Sequence, residues 1–121
     1  MSRLSVTIIA WNEEERLRGC LESVTWADEI VVVDAESGDK TVQIAHEFTD
    51  KVSVRPWPGF AAQKNFAIDQ TTGDWVLSLD ADERVTPELR SRDVLRDRPV
   101  ASLLGAQFCF TLVFSIQATA L

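Results

Sequence analysis

Glu29–Asp34 reads EIVVVD, with apolar side chains on successive rather than alternate positions. A strand that is apolar on both faces belongs in a parallel sheet, where crossover helices cover each side. The same signature appears upstream in Leu4–Ala10 (LSVTIIA), which is β-branched, apolar and bounded by charges. Between the two, Asn12 offers an N-cap and Glu15, three residues on, completes a capping box. Leu17, Cys20, Leu21 and Val24 then recur at helical spacing and predict one buried helix face. Downstream, Ser37-Gly38-Asp39 forms a turn and cap, and Thr41–Phe48 carries Val42, Ile44, Ala45 and Phe48 at helical spacing. Lys51–Arg55 (KVSVR) alternates as a third strand and is stopped by Pro56-Trp57-Pro58-Gly59. Phe60–Gln70 is a third helical stretch, closed by Thr72-Gly73-Asp74. Trp75–Leu79 (WVLSL) is a fourth strand ending at Asp80-Ala81-Asp82-Glu83, and Thr86 with Pro87 opens another helix.

Strands alternating with helices over short loops predict an α/β, Rossmann-like fold. Its parallel sheet has right-handed crossovers and helices on both faces. In such sheets ligands bind outside the carboxyl ends of the strands. Those ends are Ala10-Trp11-Asn12-Glu13, Asp34-Ala35-Glu36-Ser37 and Asp80-Ala81-Asp82. They are rich in carboxylates.

Composition narrows the class. With 121 residues, 45% of them hydrophobic, the chain has the length of one domain with a real core. Lys+Arg number 12 against Asp+Glu 19, for a net charge of -7, which argues against nucleic acid as a partner. Cys20 and Cys109 lie far apart with no CxxC spacing, so neither zinc nor a disulfide scaffold is expected. The apolar run after Arg3 meets Asn12-Glu13-Glu14-Glu15 and offers no secretion-signal cleavage site. Every charged residue lies at or before Arg98. The chain therefore divides into a patterned part, residues 1–98, and an uncharged apolar tail, residues 99–121.

Asp80 and Asp82 stand one residue apart at the end of an apolar strand, and two carboxylates so close favour a bound cation. Mg²⁺ and Mn²⁺ suit few carboxylates, several waters and substrate phosphates. Taken alone, the pair is more often a solvated acidic turn. Asp34 can accept hydrogen bonds from a base edge or serve its own turn. Trp11 can stack on a base ring or pack as an ordinary aromatic. Glu13 suits the first turn of a helix, and Lys64 can neutralise a diphosphate or face solvent. His46 reads as a surface residue; Trp26, Trp57 and Trp75 read as packing residues.

In this order and on these elements, the signals resemble family 2 glycosyltransferases with the GT-A nucleotide-sugar-binding fold. The resemblance rests on Ser5–Leu17 (SVTIIAWNEEERL), Cys20–Asp39 (CLESVTWADEIVVVDAESGD), Gly59–Ala67 (GFAAQKNFA) and Asp74–Leu89 (DWVLSLDADERVTPEL). Within that family the chain is most similar to bacterial lipopolysaccharide-core β-glucosyltransferases. The resemblance implies that Trp11 stacks on the uracil of a UDP-sugar and Asp34 bonds its ring edge. Glu13 and Lys64 would help hold the nucleotide, Asp80 would contact ribose or sugar, and Asp82, with Asp80, would bind a divalent cation. Inverting transfer to a glycan or lipid-linked acceptor is implied too, in the cytoplasm, with peripheral association at the inner face of the bacterial inner membrane. The family takes its general base from a later segment, whereas this chain has no carboxylate after Asp97. It thus reads as a donor-binding half truncated before the acceptor site, expected to transfer little or no sugar alone. A non-catalytic product is the alternative. A haloacid-dehalogenase-type phosphatase fits less well, because its DxD follows the first strand and wants Thr or Val at the place of Arg84.

The tail, with no charge over 23 residues, is long enough to span a bilayer, and Arg90, Arg92, Arg96 and Arg98 stand before it. Gln107, Gln117 and several Ser and Thr residues make it only moderately apolar, so it reads instead as a poorly packed or sheet-edge segment. Deleting residues 99–121 should raise solubility and leave nucleotide binding unchanged. Loss of folding in residues 1–98 on that deletion would make the tail part of the core.

Overall fold

The computed structural model describes residues 3–85. The expected helix at Thr86-Pro87 and the tail 99–121 lie outside the described residues. The elements run Leu4–Ala10 (β1), Leu17–Glu22 (α1), Glu29–Asp34 (β2), Thr41–His46 (α2), Val52–Val54 (β3), Phe60–Asp69 (α3) and Trp75–Asp80 (β4). The strands form one sheet in the order β3-β2-β1-β4, and every pairing is parallel. Register places Ala10 beside Asp34 and Ile9 beside Asp80, so the carboxyl ends of three strands open on one edge.

Each face of the sheet has its own core. Leu4, Val6, Ile8 and Ala10 of β1 turn to one side and pack with Leu17, Cys20 and Leu21 of α1 and Ile44 and Ala45 of α2. Ile9, Val31 and Val33 turn to the other and meet Ala67 of α3, with Phe66 beside them. The largely apolar, doubly buried sequences of β1 and β2 are explained by this, since both of their faces are covered.

Two local expectations change. Asn12 does not cap α1, which begins at Leu17 after a turn in which the Leu17 amide donates to the Glu13 carbonyl (2.8 Å). Asn12 instead sits at φ 50°, a left-handed conformation that asparagine tolerates. Its amide donates to Ser37 Oγ (2.7 Å) and its Oδ1 accepts the Gly38 amide (2.8 Å). The capping residue is diverted to join two loops. The second helix also stops earlier than its apolar spacing suggests, at His46, with Phe48 still packed on the core.

The far edge of the sheet is tied by Glu29. Its Oε1 accepts from Ser5 Oγ (2.6 Å) and the Thr72 amide (2.8 Å), and its Oε2 accepts from Thr72 Oγ1 and from Lys51 Nζ. One carboxylate thereby joins β1, β2, the start of β3 and the loop before β4. Burial pushes this carboxyl up, but the hydrogen bonds from Lys51, Ser5 and Thr72 and the Lys51 charge outweigh it and hold it at about 2.

A carboxyl lowered from 4.5 to about 2 stabilises the fold above its unfolded value and loses that contribution as pH falls through the folded value. Glu29→Gln should cost about 2–3 kcal/mol at pH 7 in chemical denaturation, and the deficit should shrink between pH 4.5 and 2. A deficit that does not change with pH would remove Glu29 from this role.

Candidate functional site at the carboxyl edge of the sheet

A cavity of 630 Å³ opens at the carboxyl ends of the strands. Ile9, Ala10 and Ala35 line its floor, Trp11 and Glu13 come from the loop after β1, and Asp80-Ala81-Asp82 from the end of β4. Trp57 and Phe60 complete it from the segment leading into α3. The structure therefore brings together four of the residues expected from sequence: Trp11, Glu13, Asp80 and Asp82. Trp11 is 62% exposed, as an aromatic awaiting a partner would be, and is not packed into the core.

Asp34 and Lys64 do not line this cavity. Asp34 is fully buried at the end of β2, and its two oxygens accept from the Ser37 amide (2.7 Å) and Ser37 Oγ (2.5 Å). Ser37 Oγ in turn receives the Asn12 amide, so the residue after Trp11 and the carboxylate of Asp34 share one hydroxyl. The Glu13 amide donates to Thr41 Oγ1 (2.9 Å) and the Glu14 amide to Asp39 Oδ2 (3.3 Å). These bonds clasp the loops after β1 and β2 and fix their approach to the cavity. Lys64 reaches from α3 to Asp80, with Nζ 3.7 Å from Oδ1.

The β4 turn is held from below. The Asp80 amide donates to Glu83 Oε1 (2.8 Å), the Glu83 amide donates to the Asp80 carbonyl (3.0 Å), and Cys20 Sγ donates to that same carbonyl (3.7 Å). Asp80 Oδ1 is closed from solvent with no hydrogen bond, while 39% of the side chain stays open; Asp82 is 42% open and lies 3.7 Å from Arg16.

Crowding of negative charge shows in the acidities. Burial raises Glu13, and the charge of Asp82 adds to it while Arg16 opposes. Burial also raises Glu83; the Asp80 amide opposes this and the Asp80 and Asp82 charges reinforce it. Burial pushes the Cys20 thiol up to about 12.

Asp80 and Asp82 fit a hard divalent cation that keeps waters and takes ligand phosphates. Asp80 has an oxygen lacking a donor, and both side chains face the cavity. Among the described residues no group of three or more His, Cys, Asp or Glu side chains forms a fuller metal cage. Also among them, no helix is long and apolar enough to cross a membrane.

Three features escaped the sequence. Arg16 pairs with Asp82 across the start of α1, a contact that no local spacing announces. Ser37 links two loops, although it reads only as a turn residue. Trp57, expected to pack, is 49% exposed on the cavity wall. Its flanking prolines and glycine gave the one hint, since they hold the chain out of regular structure.

The glycosyl transferase family 2 model matches residues 5–96. An uncharacterized glycosyltransferase of Rickettsia typhi, RT0209, is 46% identical over 91 residues, covering 74% of this chain and 31% of the relative. LpsC of Rhizobium meliloti, a lipopolysaccharide core biosynthesis glycosyltransferase, is 40% identical over 92 residues, covering 72% and 34%. The chain thus spans about a third of the length of these curated relatives. Mycobacterium tuberculosis glucosyl-3-phosphoglycerate synthase, solved with Mg²⁺ and uridine diphosphate, superposes with a TM-score of 0.60 at 26% identity. That match covers 69% of this chain and 34% of the other. The match over most of the chain displaces the phosphatase alternative: the chain belongs to glycosyl transferase family 2.

Proposed function

We propose that the chain binds a UDP-sugar together with a divalent cation and serves inverting sugar transfer to a cell-envelope glycan or lipid-linked acceptor. The lipopolysaccharide core is the acceptor class we favour, on the strength of the likeness to LpsC. The observation that carries the reading is the single cavity shared by Trp11, Asp80 and Asp82 at the carboxyl edge of a parallel sheet. The Mg²⁺ and uridine diphosphate of the mycobacterial synthase support the choice of nucleotide and ion. We place this reaction on the cytoplasmic side of the inner membrane, where the chain associates peripherally.

In this reading Trp11 offers its exposed ring to the base, and Asp34, held by Ser37, keeps lone pairs for the ring N–H. Asp80 and Asp82 hold the cation, with Lys64 as a nearby positive charge on the diphosphate side. A bound cation supplies neutralisation of the charge that grows on the departing diphosphate. Glu13, half-buried beside Asp82, is placed to accept from a ribose hydroxyl. Arg16 steadies Asp82.

Titration of the 121-residue chain with UDP and Mn²⁺ should change tryptophan fluorescence, and Asp82→Ala should weaken that response at least tenfold. Binding that ignores the metal, or survives Asp82→Ala unchanged, would overturn the assignment.

A further inference from the structure

Among the described residues only four large apolar side chains are strongly exposed: Trp11, Val54, Trp57 and Phe60. Three of them line the same cavity. Trp57 and Phe60 touch edge to face, with ring centroids 4.9 Å apart at 90°. Their segment is stiff. Pro56 and Pro58 bracket Trp57, and Gly59 takes φ 110° and ψ 160°, a conformation open almost only to glycine. The pair is thus presented on a rigid strap, at little cost in ordering when a ligand arrives.

The strap also has a defined place along the sheet. It leaves β3 with the Arg55 amide donating to the Asp34 carbonyl (2.9 Å), so it starts beside the end of β2. The strand order β3-β2-β1-β4 puts Asp80 two strands away from Asp34, roughly 10 Å at the usual strand spacing. The cavity therefore has a charged side supplied by the end of β4 and an aromatic side supplied by the strap after β3 and by Trp11 of the β1 loop. A ligand with anionic groups at one end and a flat apolar ring at the other matches this polarity. Phosphates repel the aromatic faces, and the ring gains nothing among carboxylates.

We infer that Trp57, braced by Phe60, forms a second aromatic wall facing the nucleobase, so that the base is held between this wall and Trp11. This rests on the nucleotide-sugar reading above and names two residues that determine base affinity within it. Trp57 provides the contact face. Phe60 is a positioning residue that holds the indole upright through its ring edge. Stacking of this kind is sequence-tolerant and strong enough to dominate binding of a free base.

Calorimetry of the 121-residue chain in excess Mg²⁺, with UDP and with inorganic pyrophosphate as the probe without a base, tests the wall. Trp57→Ala should weaken UDP about tenfold and leave pyrophosphate unchanged, as expected for loss of one stacking face. Phe60→Ala should weaken UDP about threefold, and Trp57→Phe should retain most of the affinity. Equal losses for UDP and pyrophosphate in Trp57→Ala would show a merely structural role and overturn the inference, as would UDP affinity that does not change. Wild-type chain that binds UDP with metal while Trp57→Ala does the same sinks the wall and spares the donor reading. Wild-type chain that binds neither probe sinks both.

Discussion

Strand β1 is hydrogen-bonded along both edges, to β2 and to β4, and both partners run parallel to it. That one constraint sets most of the architecture. Parallel neighbours force every connection to cross the sheet, which places α1 and α2 on one face and α3 on the other. It also gathers the loops after β1, β2 and β4 at one edge, because all of these strands end there. An exposed indole ring, a buried carboxylate and a pair of partly exposed carboxylates gather at one edge although as many as 71 positions separate them in sequence.

The two ends of the sheet do different work. At the amino edge Glu29 keeps its charge by accepting hydrogen bonds from Ser5, Lys51 and Thr72. At the carboxyl edge Glu13, Asp80, Asp82 and Glu83 crowd together, with Lys64 near Asp80 and Arg16 near Asp82. Burial, reinforced by the neighbouring carboxylate charges, raises the pKa of Glu13 and of Glu83, so negative charge is costly at this edge. In a site that takes a cation, that cost becomes affinity. The stable edge anchors the sheet, and the strained edge is where the proposed chemistry is done.

Much of this was legible in the sequence. The bounds of β1 and β2 are set by runs of mostly apolar and β-branched residues, and β4 extends its run by one residue to Asp80. Strands buried on both sides carry their signal in every residue, which makes their ends sharp. The helices are short, and their ends depend on what the neighbouring loop needs. Asn12 shows why. Its side chain is equally able to cap a helix or to bridge to Gly38, and only the three-dimensional approach of the second loop decides between them. The site divides in the same way. Trp11, Asp80 and Asp82 sit where strand ends must sit, whereas Arg16, Ser37 and Trp57 depend on contacts between elements. Trp57 misled because tryptophan is usually buried, and its exposure is imposed by the rigid residues around it.

The sulfur of Cys20 lies directly under the turn that carries Asp80, fully buried and bonded to that residue's carbonyl. With its thiol pushed up to about 12, it stays protonated and inert toward alkylating reagents while the turn is seated. Its reactivity therefore appears only when the end of β4 lifts away from α1. The labelling rate of this single atom becomes a clock for local opening of the carboxylate turn, separate from unfolding of the sheet. A ligand that bridges Asp80 and Asp82 would slow that clock without touching the sulfur.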